Sequence, residues 1–120
     1  MARKKYRIKI SEIPIVPINH GNGIKKIFVD NGDNDTALTQ FAWSKFEPGT
    51  SCDLHCHNTM DEYFFVYKGK GVFTINNSNY IIREGDFLRI PAKTEHMVLN
   101  NSNEPLEFIY FGIALNDQSL

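Results

Sequence analysis

Three histidines and one glutamate carry the chemistry that can be read from this 120-residue chain. His55 and His57 stand two apart in the stretch GTSCDLHCHNTMDEYFFVYKG, residues 49–69. Side chains on a strand alternate faces, so an HxH pair points one way only if its backbone is extended. Glu62 follows across Asn58-Thr59-Met60-Asp61, a polar connection of the length that joins antiparallel strands, so its carboxylate can return beside the imidazoles. A fourth donor is offered far downstream by His96. Neutral imidazoles with one carboxylate form a mixed N/O set suited to iron, manganese, nickel, copper or zinc, and poorly suited to calcium or magnesium. Four protein ligands on a metal that prefers six leave room for substrate or dioxygen, whereas tetrahedral zinc would be closed by them. Asp61 competes with Glu62 as the carboxylate, but parity with Phe64 and Val66 selects Glu62.

The elements that must position these residues read as short strands. Tyr6 to Ile10 alternates as an edge strand would, and Pro14 and Pro17 then interrupt regular structure. His20-Gly21-Asn22-Gly23 is a turn, with His20 given no role; Ile24 to Val29 is a strand, and Asp30 to Asp35 is a loop of residues that tolerate left-handed conformations. Leu38 to Phe46 is an aromatic-rich strand ending at Glu47-Pro48-Gly49. Gly71 to Ile75 and Tyr80 to Arg83 flank Asn76-Asn77-Ser78-Asn79 as a hairpin. Phe87 to Ile90, His96 to Leu99 and Leu106 to Leu115 complete the set. Turn signals recur every eight to twelve residues and no apolar period of 3.6 is present, which predicts an all-β sandwich or barrel.

Written as a pattern, the spacing is Gly49-x5-His55-x-His57-x4-Glu62-x6-Gly69 followed by Gly85-x5-Pro91-x4-His96-x3-Asn100. In this form the chain resembles the cupin superfamily over residues 49–100. One position departs: the second motif usually has glycine two after the proline, and here Lys93 stands there. Glycine would permit a positive φ, so the turn before His96 must avoid that conformation or carry strain. The resemblance implies an all-β fold, a double-stranded β-helix (jelly-roll) barrel, with His55, His57, Glu62 and His96 converging inside it on one divalent transition metal such as Fe, Mn, Ni or Zn. It further implies a division into an N-terminal arm and edge strand, 1–20, and a single cupin domain, 21–120, and a homodimer. Tyr63, Tyr67, Cys52 and Cys56, on faces opposite to the ligands, are where a second subunit would provide cover. Phe41, Trp43, Phe64, Phe73, Phe87, Phe108 and Tyr110 are expected to be mostly core, some of them lining a pocket.

The chain length suits one domain, and a hydrophobic content of 42% is enough for one core. Net charge is −1, with five bases, Arg3, Lys4, Lys5, Arg7 and Lys9, gathered at the start. That arm lacks the aromatic or glycine-rich pattern of a nucleic-acid binder and reads as a solvated terminus. No apolar run has signal-peptide or membrane-spanning length, so a cytoplasmic protein with no membrane or nucleic-acid partner is expected. Cys52 and Cys56 would lie roughly 13 Å apart on a strand, too far to be bridged, and read as reduced thiols.

For function, the first reading is a metal-dependent enzyme acting on a small polar molecule, carboxylate- or carbohydrate-like. The resemblance leaves dioxygenase, decarboxylase, isomerase and lyase chemistry open. Glu62 is its candidate catalytic residue as well as a ligand, since a free second oxygen could accept a substrate proton. The second reading is a module that binds metal or sugar without turnover. A third, a metal-free scaffold or a sugar-nucleotide isomerase, is disfavoured by the complete ligand set.

Overall fold

The computed structural model describes residues 6–116. Ten strands follow in order: β1 Val16–Pro17, β2 Ile24–Asp30, β3 Leu38–Phe46, β4 Ser51–His55, β5 Met60–Lys68, β6 Lys70–Ile75, β7 Ser78–Arg83, β8 Phe87–Ile90, β9 His96–Leu99 and β10 Leu106–Ala114. Single 3₁₀ turns at Ile10–Glu12 and Asn31–Asp33 are the only helical segments among the described residues. All pairings are antiparallel and form two sheets, one of six strands ordered β1-β2-β3-β10-β5-β8 and one of four ordered β4-β9-β6-β7. This is the double-sheet jelly roll that the resemblance implied.

The alternation of side chains explains the layers. Glu62, Phe64 and Val66 of β5, and Leu106 and Phe108 of β10, are buried, while Tyr63, Phe65, Glu107 and Ile109 take the opposite parity. From the facing sheet come Phe73, Ile82 and Val98, and with Phe46 and Ile90 these residues form one core between the layers. Phe64 packs edge-on to Phe73 and Phe108, with ring centroids 5.1 and 5.6 Å apart.

Several boundaries differ from the sequence reading. The alternating Tyr6 to Ile10 is not a strand, and its end enters the first 3₁₀ turn; the edge pairing is made by Val16–Pro17 on β2. The β6–β7 loop is only Asn76-Asn77, both with positive φ (48° and 68°), because two residues in that conformation match the twist of a tight hairpin. Ser78 and Asn79 therefore belong to β7. Gly69, between β5 and β6, has φ of 83°, and a Cβ there would lie 2.2 Å from the Pro105 carbonyl oxygen, so both conformation and space require glycine.

Asn100 secures the end of β9. Fully buried, it donates from Nδ2 to the carbonyls of Phe46 (2.8 Å) and Glu104 (2.7 Å), and its Oδ1 accepts from Ser102 N and Oγ. Its place four residues after His96 in the motif thus serves a loop clamp, with every side-chain hydrogen-bonding group used.

Candidate metal centre

The four donors come from three strands and one loop. His55 ends β4 and is the register partner of His96, the first residue of β9, across the four-stranded sheet. Glu62, the third residue of β5, reaches in from the other sheet. His57 lies beyond the end of β4, so the pair is not carried on one strand as expected. The rings still converge, with centroids of His55 and His57 4.9 Å apart and those of His55 and His96 4.3 Å apart. One ligand atom from each of His55, His57, Glu62 and His96 lies within 4.8 Å of all the others.

Backbone contacts fix two of the rings. His55 Nδ1 lies 2.7 Å from the Asp53 carbonyl and His96 Nδ1 lies 2.9 Å from the Thr94 carbonyl. A carbonyl can only accept, so each Nδ1 carries the proton, and in the neutral ring Nε2 presents a lone pair. For His96 that lone pair faces Glu62 Oε1 at 3.2 Å, and His57 Nε2 approaches the same oxygen at 3.3 Å. Two acceptors that close require a cation between them, a metal ion or, in its absence, a proton. Donors about 2.1 Å from a shared ion are separated by about 3.0–3.4 Å in octahedral or tetrahedral arrangements, a range that the two contacts to Glu62 Oε1 match. The carbonyl-anchored imidazole is the usual outer support of a metal-ligating histidine.

The electrostatics follow from this packing. Glu62 is buried, which alone would raise its pKa, but in the metal-free protein protons on the facing His57 and His96 nitrogens supply hydrogen bonds that outweigh burial and hold it at about 2. The hydrogen bond to Glu62 raises the pKa of His57 against the opposing effect of burial. For His55, burial dominates and lowers it, only partly opposed by the Asp53 carbonyl.

A cavity of about 100 Å³ opens beside the cluster. Phe64, Phe73, Phe108 and Tyr110 line it, whereas Phe41, Trp43 and Phe87 do not. Three further residues of the lining were not assigned to the site from sequence. His20 stacks on His55 with centroids 4.6 Å apart, because the bridge between Gly21 and Cys52 lays the first turn against β4. At Gly21 a Cβ would lie 2.1 Å from the Ser51 carbonyl oxygen, so only glycine permits that approach. Lys25, on β2, is 7% exposed and also lines the cavity. Cys52 was expected on the opposite face; an irregularity in the β4–β9 register between Cys52 and His55 breaks the alternation and turns its thiol inward, 3.8 Å from His55 Nδ1. Burial, then Glu62 and Asp53, push its pKa up to about 12, so it stays a thiol. Neither cysteine is in a disulfide. Asp61 accepts a hydrogen bond from Ala92 N at 2.8 Å and braces the turn before His96.

Comparison with known proteins agrees with this geometry. The cupin domain family model matches residues 42–112. An oxalate-binding protein of Thermotoga maritima is 35% identical over 75 residues, 62% of each chain. An uncharacterized protein of Methanocaldococcus jannaschii is 34% identical over 61 residues, 51% of this chain and 49% of the relative. The chain thus spans about half to three-fifths of the length of these relatives. Among solved structures, a predicted oxalate decarboxylase from Thermotoga maritima superposes with a TM-score of 0.84 at 27% identity, covering 91% of this chain and 99% of that one. A polyketide cyclase from Streptomyces resistomycificus, 12% identical, gives 0.80 over 94% and 82%, a likeness of fold alone.

Proposed function

The chain belongs to the cupin domain family, and we propose that it is a metal-dependent enzyme acting on a small carboxylate, with oxalate the first substrate to test. The observation that carries this reading is the meeting of three imidazoles and one carboxylate, all within 4.8 Å, beside a cavity of about 100 Å³. His55, His57 and His96 would hold the metal through ring nitrogen and Glu62 through oxygen. When bound, a divalent transition metal supplies Lewis acidity to a substrate oxygen and, if redox-active, a path for electron transfer.

The chain's own residues supply orientation, charge and exclusion of water. The Asp53 and Thr94 carbonyls aim the His55 and His96 rings. Glu62, ionised at neutral pH, is the fixed negative charge of the site; both imidazole contacts fall on Oε1, which leaves Oε2 as the catalytic proton acceptor. An apolar cavity of ~150 Å³ takes a six-carbon ring, so one of about 100 Å³ limits the ligand to roughly half a dozen heavy atoms. That size and the likeness to the oxalate-related proteins favour a carboxylate over a sugar. Decarboxylation would break the C–C bond of oxalate, release carbon dioxide and place one proton on the remaining carbon to give formate, with no external oxidant.

A second reading, binding without turnover, is favoured by the relative described as oxalate-binding. Incubating the metal-loaded protein with carbon-labelled oxalate separates the two. Labelled formate and carbon dioxide support the enzyme, and stoichiometric bound oxalate without product supports the binding module.

We also read the protein as a homodimer with its 21–120 domain as the folding unit and 1–20 as an arm. The outer face of the six-stranded sheet supports this, for Tyr63 stacks on Phe111 and Phe41 packs edge-on to it there, beside exposed Phe87 and Phe65 (62% and 41%). Two free thiols suit a reducing, cytoplasmic setting, and no helix among the described residues is long and apolar enough to cross a membrane.

A further inference from the structure

We propose that Lys25 is the residue that selects a dianion: its ammonium group binds the second carboxylate of a short dicarboxylate whose first carboxylate sits at the metal cluster. The inference rests on the carboxylate reading above and adds a residue and a selection rule to it.

Lys25 projects from β2 into the layer between the sheets, where its register partner Ser44 is likewise buried. Among the described residues it is the only lysine or arginine lining the cavity that also holds His55, His57 and His96. Its one hydrogen bond is to a neutral group, the Gln40 side-chain oxygen at 3.0 Å, and it makes no ion pair among the described residues. An ammonium group has three donors, and a buried one is normally matched by an anion. Here the rest of the lining is largely aromatic and aliphatic, Phe46, Phe64, Phe73 and Phe108 among it. The nearest carboxylates, Asp30 and Glu62, act on Lys25 only through space and oppose the lowering of its pKa by burial.

Charge counting gives the same answer. A divalent metal, the Glu62 carboxylate and the Lys25 ammonium sum to two positive charges, so a dianion neutralises the cavity. A monocarboxylate would leave one charge uncompensated in an apolar enclosure, and a neutral polyol would leave both. The small volume requires the two anionic groups of the ligand to be close together, as in a two- or three-carbon dicarboxylate.

The test compares oxalate with acetate by calorimetry on metal-loaded wild type, Lys25→Met and Lys25→Gln, with metal content measured in the same samples. Both variants are expected to keep full metal and to bind oxalate about 10- to 100-fold more weakly, the order of one charge-assisted hydrogen-bonded contact. Acetate affinity should change no more than about threefold, because it needs no second cation. Equal losses for the two anions, or none for oxalate, would overturn the assignment. Nuclear magnetic resonance of labelled lysine decides the matter even if the wild type takes up no metal, an outcome that defeats the metal reading alone. A Lys25 Nζ signal that shifts with oxalate and not with acetate supports the inference, and one that moves with neither overturns it.

Discussion

Replacing Lys93 with glycine should stabilise this protein. Lys93 has a φ of 68°, a left-handed conformation that costs an L-residue about 1–2 kcal/mol through its Cβ. Its backbone is held there by the turn it serves: Lys93 N donates to the His57 carbonyl at 2.7 Å while Ala92 N donates to Asp61, so the loop carrying His57 is tied to the turn before His96. The strain is therefore stored next to the cluster of His55, His57, Glu62 and His96. Glycine removes the Cβ and keeps the N–H, at an entropic cost in the unfolded chain of roughly 0.5–1 kcal/mol. The net gain should be about 0.5–1 kcal/mol, or a rise in Tm of roughly 2–5 °C. Urea unfolding of metal-free Lys93→Gly and Lys93→Ala separates the backbone effect from loss of the exposed side chain. Alanine keeps the Cβ and should give no gain. Glycine being no more stable than alanine would refute the argument.

Other outcomes follow from the same geometry. Asn100→Ala leaves the buried Phe46 carbonyl without this donor, while Ser102 Oγ still serves the Glu104 carbonyl, and should cost about 1–3 kcal/mol in urea unfolding, since a buried group left unpaired is penalised in full. Glu62→Gln should weaken metal retention and suppress any turnover of oxalate; an unchanged rate would remove Glu62 from the chemistry. Metal affinity should fall on acidification. A ligating imidazole must lose its proton and the pKa of His57 is raised, so proton competition sets in above pH 6.5, at about tenfold per pH unit, while His55, with its pKa lowered, stays neutral to lower pH. An affinity flat between pH 8 and 6 would contradict that ordering. In the metal-free protein Glu62 works in the opposite window: its depressed pKa stabilises the fold above about 4.5, and this is lost as pH falls toward about 2.

Much of the fold was legible because its punctuation is local. β3, β8 and β9 begin and end where the turn residues around them indicated. The hairpin loop was read two residues too long, since Ser78 and Asn79 look like turn residues although Asn76 and Asn77 suffice to close it. That His55, His57, Glu62 and His96 come together could be anticipated from spacing, because a metal cluster would demand several residue types at fixed intervals. Lys25 could not be named. It is one of two adjacent lysines in β2, and only strand pairing decides which of them faces the interior. His20 was equally hidden, for its place beside His55 depends on a close backbone approach at Gly21 from a distant part of the chain. Cys52 was misplaced by strict alternation, which fails wherever a strand pair carries an irregularity.

The central claim is that four side chains hold one metal ion, and elemental analysis of protein purified without an affinity tag tests it most directly. The account predicts close to one equivalent of a divalent transition metal in the wild type and a near-complete loss in His57→Ala. A folded wild-type protein that takes up no transition metal, or a His57→Ala variant that keeps its full complement, would contradict it.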